Sequence, residues 1–221
     1  MGAWSDGFEA CSLPGNWTSE TGANATRSCA SDQKKEGTYS YKVVQTTTAG
    51  YGYVTKTITA ETGQVNIRAY FRVDSLLSGN WKNLNRVLTM LNGANYICAV
   101  GYWTNGSGQQ CLRVSRWYPA YSERAPVVVS LVAGTWHCIE LEYVRGVSGS
   151  YKIWFDGTLV DSDTEIDTTG AGNINALWAG CAVSATDAVK TYWIDSFKQD
   201  TAYIGPIPPP PAVGGILAQV I

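Results

Sequence analysis

Charge is scarce in this sequence. Asp, Glu, Lys and Arg together make up 15% of its 221 residues, against roughly a quarter in ordinary globular domains, so most of the polar surface must be uncharged Ser, Thr, Asn, Gln and Gly. Sixteen basic residues face eighteen acidic ones, leaving a net charge of −2. The basic residues are dispersed, no run of them can track a phosphate backbone, and nucleic acid is excluded as a partner. Histidine occurs once, at His137. A histidine-ligated zinc site needs several, and a nucleophilic triad built on this one would lack a G-x-S-x-G elbow. No C-x-x-C pair occurs among the six cysteines, which excludes zinc-ribbon and thioredoxin-type sites. No apolar run approaches the ~18 residues of a membrane span, and no stretch sustains an amphipathic helical period. The start, Met1-Gly2-Ala3-Trp4-Ser5-Asp6, has neither the basic nor the apolar region of a signal peptide. That is expected of a mature or trimmed domain, or of a protein that reaches the exterior by assembly.

What is present is a period of two. In Val65-Asn66-Ile67-Arg68-Ala69-Tyr70-Phe71-Arg72-Val73 the odd positions are apolar and the even ones mostly polar, the pattern of a strand with one face on a core and one on solvent. Tyr39-Ser40-Tyr41-Lys42-Val43 and Ile139-Glu140-Leu141-Glu142-Tyr143 repeat it, and further strands are expected at 51–58, 86–92, 95–103, 110–117, 126–132, 151–155, 176–184 and 190–199. Gly, Asn and Asp clusters separate them at the short spacing of a sandwich. Asn105-Gly106-Ser107-Gly108 and Asp156-Gly157 read as hairpin turns. Sequence proximity suggests the disulfides Cys11–Cys29 and Cys98–Cys111, leaving Cys138–Cys181, with buried free thiols as the alternative. Disulfides and the sequons at Asn16, Asn24 and Asn105 fit an oxidising, extracellular or particle-surface setting. The expected organisation is one domain over 1–205, a polyproline spacer over 206–211 and an apolar arm over 212–221. That arm, with Val213, Ile216, Leu217, Val220 and Ile221, is expected to dock on a partner in an assembly.

Gly134-Thr135-Trp136-His137-Cys138-Ile139-Glu140-Leu141-Glu142-Tyr143, followed by Tyr151-Lys152-Ile153-Trp154-Phe155-Asp156-Gly157, resembles the G-x-W-H … D-G signature of laminin G-like, concanavalin A-like jelly rolls. Gly7-Phe8-Glu9 with Trp17, and Tyr192-Trp193-Ile194-Asp195-Ser196-Phe197, are similar to the first and last strands of that superfamily. The resemblance covers about 7–205 and implies an all-β, two-sheet antiparallel jelly-roll sandwich. It also implies a lectin, carbohydrate-binding, adhesion or glycan-cleaving role, and a structural Ca²⁺ between the first and last strands, with Glu9 and Asp195 at the matching acidic positions.

As an enzyme the sequence looks poor. Glu165-Ile166-Asp167 begins like the E-x-D-x-x-E strand of laminarinase-type hydrolases, but Gly170 stands where the second glutamate should be. Glu140 and Glu142 share a face, as alternating strand residues must, with Arg68, Arg72 or Lys152 able to neutralise them. A jelly-roll alginate lyase would want an arginine, glutamine, histidine and tyrosine set on the concave sheet, and His137 has the wrong parity beside Glu140. Nine Trp and thirteen Tyr instead suit stacking on sugar rings. Trp81, Tyr102, Trp103, Trp117 and Tyr118 are the candidate carbohydrate-binding residues, within a run that also holds Tyr96 and Tyr121. The expected function is therefore a non-catalytic glycan-binding or adhesion domain outside the cell or on a particle. A virion or filament decoration protein anchored by its C-terminal arm is the alternative, and a glycan-cleaving enzyme comes third.

Overall fold

A computed structural model describes residues 3–208. In chain order its strands are β1 (Trp4–Asp6), β2 (Ser19–Ala23), β3 (Ala25–Ala30), β4 (Ser40–Gln45), β5 (Tyr51–Glu61), β6 (Gln64–Val73), β7 (Asn83–Asn92), β8 (Asn95–Thr104) and β9 (Gln110–Arg116). They continue as β10 (Ser122–Glu123), β11 (Val127–Val128), β12 (His137–Val144), β13 (Gly149–Phe155), β14 (Thr158–Ile166), β15 (Ile174–Cys181), β16 (Val183–Ala185) and β17 (Thr191–Asp200). The first sheet runs β14-β13-β12-β6-β17-β4-β3, with β1 beside β17; the second runs β10-β9-β8-β7-β15-β5-β2, with β11 on β9 and β16 on β7. The protein is an all-β, two-sheet antiparallel jelly-roll sandwich.

Alternation puts one row of each strand inside. On the first sheet Val65, Ile67 and Ala69 of β6 lie opposite Tyr143, Leu141 and Ile139 of β12, which in turn lie opposite Tyr151, Ile153 and Phe155 of β13. All nine are buried in the core. The second sheet answers with Leu84, Leu88, Met90, Val100, Tyr102, Leu112, Val114 and Leu177. Burying one such aliphatic or aromatic side chain stabilises the fold by about 1.5–3 kcal/mol, and a one-residue slip of any strand would turn its row to water. The expected strand at 126–132 shrinks to the two residues of β11 on β9.

Of the expected disulfides, Cys11–Cys29 forms, with Cα atoms 5.2 Å apart. The other two pairings do not. On the β8–β9 hairpin Cys98 lies opposite Arg116, and Cys111 lies opposite Trp103. The two thiols are therefore five positions out of register, roughly 16 Å along the strand at ~3.3 Å per residue, and odd spacing puts them on opposite faces. A disulfide needs Cα atoms within about 7 Å. The turn at Asn105–Gln109, closed by Asn105 and Gln109 backbone bonding, centres the hairpin later than a Cys98–Cys111 bridge requires. Cys138 is a buried free thiol of the first sheet beside Tyr70 and Arg68, whereas Cys181 belongs to the core row of the second sheet, so these two never meet.

The outer face of the first sheet is occupied by the chain itself. After β17 the segment 203–207 returns over β13, β12 and β6. Tyr203 packs on Trp154 with ring centroids 4.8 Å apart, and Ile204 and Gly205 each donate a backbone N–H to the Glu140 carboxylate at 2.8 Å. Arg68 donates to the Gly205 carbonyl at 3.0 Å, and Ile207 N–H donates to the Tyr70 hydroxyl at 2.8 Å. Contacts thus run past 205, into the stretch expected to be spacer. Val213, Ile216, Leu217, Val220 and Ile221 lie outside the described residues.

Candidate functional site

The outer face of the second sheet carries a different population. A break in the period of β7 sets it up. Leu84-Asn85-Arg86-Val87-Leu88 has apolar residues at both parities, and the β7–β8 register jumps from Leu84↔Tyr102 to Leu88↔Val100. Three residues, Asn85 to Val87, thus face the single residue Gly101. The bulge needs that glycine: a Cβ there would stand 2.6 Å from Asn85 Oδ1 and 2.9 Å from Asn85 Cα. Arg86 sits in the bulge at φ +60°, a left-handed conformation that costs a non-glycine residue about 1–3 kcal/mol and clusters at functional sites. Bulges re-aim side chains, and this one turns the guanidinium onto the rings of Tyr96, 4.1 Å from its centroid, and Trp117, 5.3 Å away.

The rings continue from there. Tyr96 and Trp117 stack at 4.8 Å, Tyr96 meets Trp178 edge-on at 5.3 Å, and Trp178 stacks on Tyr53 at 4.2 Å. On the other side Trp117 touches Tyr121 at 5.4 Å. Tyr121 donates its hydroxyl to Glu123 Oε1 at 2.5 Å, and the other oxygen of Glu123 pairs with Arg113 at 2.6 Å. Arg113 lies over Trp103 at 4.7 Å. A depression of about 450 Å³ opens beside Arg86, lined by Ala94, Asn95, Tyr96, Trp117 and Tyr118. Among the described residues no acid pairs with Arg86 and nothing accepts from its guanidinium; its buried Nε has no partner. Burial foremost holds the Tyr53 hydroxyl above its usual range, with the Thr21 hydrogen bond and the Arg86 charge pulling the other way. The Tyr121 hydroxyl is raised as well, by its partial burial and by the hydrogen-bonded Glu123 carboxylate, with the Arg86 charge pulling the other way. A cation without an acid partner, stacked on Tyr96 and Trp117 and near enough for its charge to act on Tyr53 and Tyr121, is thus the centre of this face.

The sequence candidates distribute unevenly over it. Trp103 and Trp117 belong to this face, and Tyr118 lines the depression. Trp81 is 54% exposed at one end, its ring against Gly106 of the 105–109 turn. Tyr102 does not belong. It is fully buried in the core, accepts the Leu77 N–H at 3.0 Å and donates to Gln110, because it has the parity of Cys98 and Val100 rather than that of Trp103. Arg86, Tyr53, Arg113, Glu123 and Trp178 were missed. The doubled apolar pair Val87-Leu88 after Leu84 was the one local signal of a bulge at Arg86.

The carboxylates and the histidine weighed for catalysis lie on the other sheet, where Glu140, Glu142 and His137 are engaged. Glu140 holds the returning segment, Glu142 pairs with Lys152 at 2.8 Å, and Glu165 is exposed at φ +58° on the edge strand β14. His137 accepts the Val132 N–H on Nε2 at 3.0 Å, which places its proton on Nδ1 toward Asp156, 2.7 Å away. Both ring nitrogens are used by the fold.

Glu9 and Asp195 do come together. A Cβ on Gly7 would lie 3.8 Å from Glu9 Oε1 and 3.9 Å from Asp195 Oδ1, so both carboxylates flank the same point. Glu9 accepts the Thr38 and Tyr39 N–H groups, and Asp195 those of Lys35, Glu36 and Ser196. Burial pushes the Asp195 carboxyl up to about 6, and the Glu9 charge adds to the rise. Two like-charged carboxylates, Asp195 buried and Glu9 at the surface, suit a hard cation. Among the described residues no group of three or more His, Cys, Asp or Glu side chains is arranged to hold a metal, so backbone carbonyls or water would have to complete the shell.

No family model matches the sequence, and no curated protein matches it. Solved structures of the same shape do. A cellulose-induced protein aligns at TM-score 0.66 and 19% identity over 92% of this chain and 100% of its own. An endo-beta-1,4-glucuronan lyase from the fungus Trichoderma reesei aligns at 0.61 and 18% over 84% and 91%, and an alginate lyase from Chlorella virus at 0.60 and 8% over 87% and 98%. These likenesses show the jelly-roll fold, consistent with the concanavalin A-like type. They also overturn the expectation of a non-catalytic glycan-binding or adhesion domain that is not an enzyme, because two of the three are lyases. The arm on which the decoration-protein alternative rested lies outside the described residues. Among those residues no helix is long and apolar enough to cross a membrane.

Proposed function

We propose that the chain is an extracellular polysaccharide lyase that cleaves a uronate-containing glycan by β-elimination on the outer face of the second sheet. The observation that carries this reading is Arg86, an unpaired guanidinium held in a strained bulge against the rings of Tyr96 and Trp117, with a charge that acts on Tyr53 and Tyr121. Elimination from a 4-linked uronate needs three things: charge neutralisation at the carboxylate, a base at the adjacent C5 proton, and an acid at the departing oxygen. Arg86 can take the carboxylate through two N–H bonds, which stabilises the charge that develops as C5 loses its proton. Tyr121 takes that proton while its own passes to Glu123. The C4=C5 bond forms, the C4–O bond breaks, and Tyr53 protonates the leaving oxygen. Glu123 then gives its proton to water and the Tyr53 phenolate takes one back, which restores the resting site. Trp117, Tyr96 and Trp178 supply flat faces for sugar rings. Glucuronan and alginate, named for two structural neighbours, are both polyuronates, and the Cys11–Cys29 disulfide suits secretion into an oxidising space. Incubating the purified chain with polyglucuronate tests the reading: unsaturated ends should accumulate, and their absence with every uronate-containing glycan would remove it.

A structural Ca²⁺ bound by Glu9 and Asp195 is the second part of the proposal. The pair ties the turn after β1 to β17, so an ion there would stabilise the folded state by mass action, about 2.7 kcal/mol at a hundred-fold excess over Kd. Melting with Ca²⁺ should exceed melting with chelator by several degrees, and Asp195→Asn should erase the difference. Equal midpoints for the wild type in both conditions would remove the ion.

A further inference from the structure

We infer that the far end of this face, at Trp81, Asn83 and Trp103, is a subsite for an uncharged sugar, so that the substrate alternates uronate with neutral residues. The inference rests on the lyase reading and names its substrate class. Asn83 and Trp103 lie directly opposite one another on β7 and β8. Asn83 is 8% exposed, and its Oδ1 has no hydrogen-bond partner; the buried Nε1 of Trp103 has none either. An unmet buried acceptor and an unmet buried donor, side by side on one face, each leave a polar group whose desolvation nothing offsets. A hydroxyl can donate to the first and accept from the second. A carboxylate can only accept, and would meet the Asn83 carbonyl oxygen with its own charge.

The surroundings argue the same way. Arg113, whose guanidinium covers Trp103, is already neutralised by Glu123. Lys82, beside this pair in sequence, alternates to the parity of Leu84, which is in the core. Arg86 alone of the two arginines stacked on this face is free to take an acid group, whereas a homopolymer of uronate presents a carboxylate on every ring. Trp81 completes the subsite. Its half-exposed ring, held at φ +59°, rests on Gly106, where a Cβ would come within 3.1 Å of Cζ2. The ring is thus seated against the turn and half open to solvent, which suits the C–H face of a sugar.

The test compares initial rates of unsaturated-end formation by the full chain on polyglucuronate and on a glycan in which glucuronate alternates with neutral hexoses. The alternating glycan should give a kcat/KM at least about ten-fold higher, and Trp81→Ala should raise its KM roughly three- to ten-fold with kcat kept, a loss on the scale of one stacking contact. Equal or faster cleavage of polyglucuronate, or an unchanged KM in the variant, would overturn the inference and leave the lyase reading standing. Cleavage of neither polymer would overturn both.

Discussion

Replacing Arg86 by glutamine should lower kcat/KM on a uronate-containing glycan by roughly 100- to 1,000-fold, the cost of removing one preorganised charge-stabilising donor from an active site. The size follows from its isolation. Most surface arginines spend their charge on a neighbour, as Arg113 does on Glu123 and Arg27 on Glu20, and their loss is felt by the fold. Arg86 has no such acid among the described residues, while its backbone is held at φ +60°. Glutamine keeps the Cβ and the bulge, so the melting temperature should change little while catalysis collapses. Arg86→Lys should fall between, because it restores the charge without the two-pronged N–H geometry. Kinetics and melting of the three proteins check this. A glutamine variant with wild-type kcat/KM would take Arg86 out of the chemistry.

Tyr53→Phe should reduce kcat by about 100- to 10,000-fold, the range for loss of a general acid. The ring stays to stack on Trp178 and only the proton donor goes, so KM should move less than kcat. The sign of the pH dependence follows from burial. It holds the Tyr53 hydroxyl above the ordinary tyrosine value, near 10, so the phenol keeps its proton across the neutral and mildly alkaline range. Wild-type activity should therefore persist as pH rises and fall only above about 10. The residual activity of the phenylalanine variant should lack that alkaline limb. A variant with full kcat would transfer the acid role elsewhere.

How much of this could be read from sequence depended on whether the signal was local. The first sheet was plain, since Val65 to Val73 and Ile139 to Tyr143 alternate without interruption and a core row can form only one way. The Cys11–Cys29 bridge was legible from proximity, but the same reasoning failed at Cys98 and Cys111. Their pairing depends on where the hairpin turns, and its centre falls two to three residues later than a bridge would need. The aromatic run 96–121 falls largely on one face of the second sheet, yet includes Tyr102, whose inward parity is set by the register with Leu84 and Leu112. The candidate site is less legible for a clearer reason. Its cation is defined by the lack of a partner, and Arg86, Tyr53 and Trp178 come from β7, β5 and β15, which become neighbours only when the second sheet assembles. Glu140, Glu142 and His137 lie along the single strand β12, whereas the strand residues of this face come from six, β5, β7, β8, β9, β10 and β15.

The most direct measurement is the chemical nature of the ends that the protein makes. Digesting a glucuronate-containing glycan with the purified chain and reading the fragments by mass spectrometry and NMR separates elimination from every other outcome. Elimination through Arg86, Tyr121 and Tyr53 should leave one new end with a C4=C5 double bond, lighter by one water than the hydrolytic fragment. The Arg86→Gln protein should yield almost none. Saturated ends from the wild type, or a polymer that is bound and left intact, would contradict the assignment of this face to a lyase.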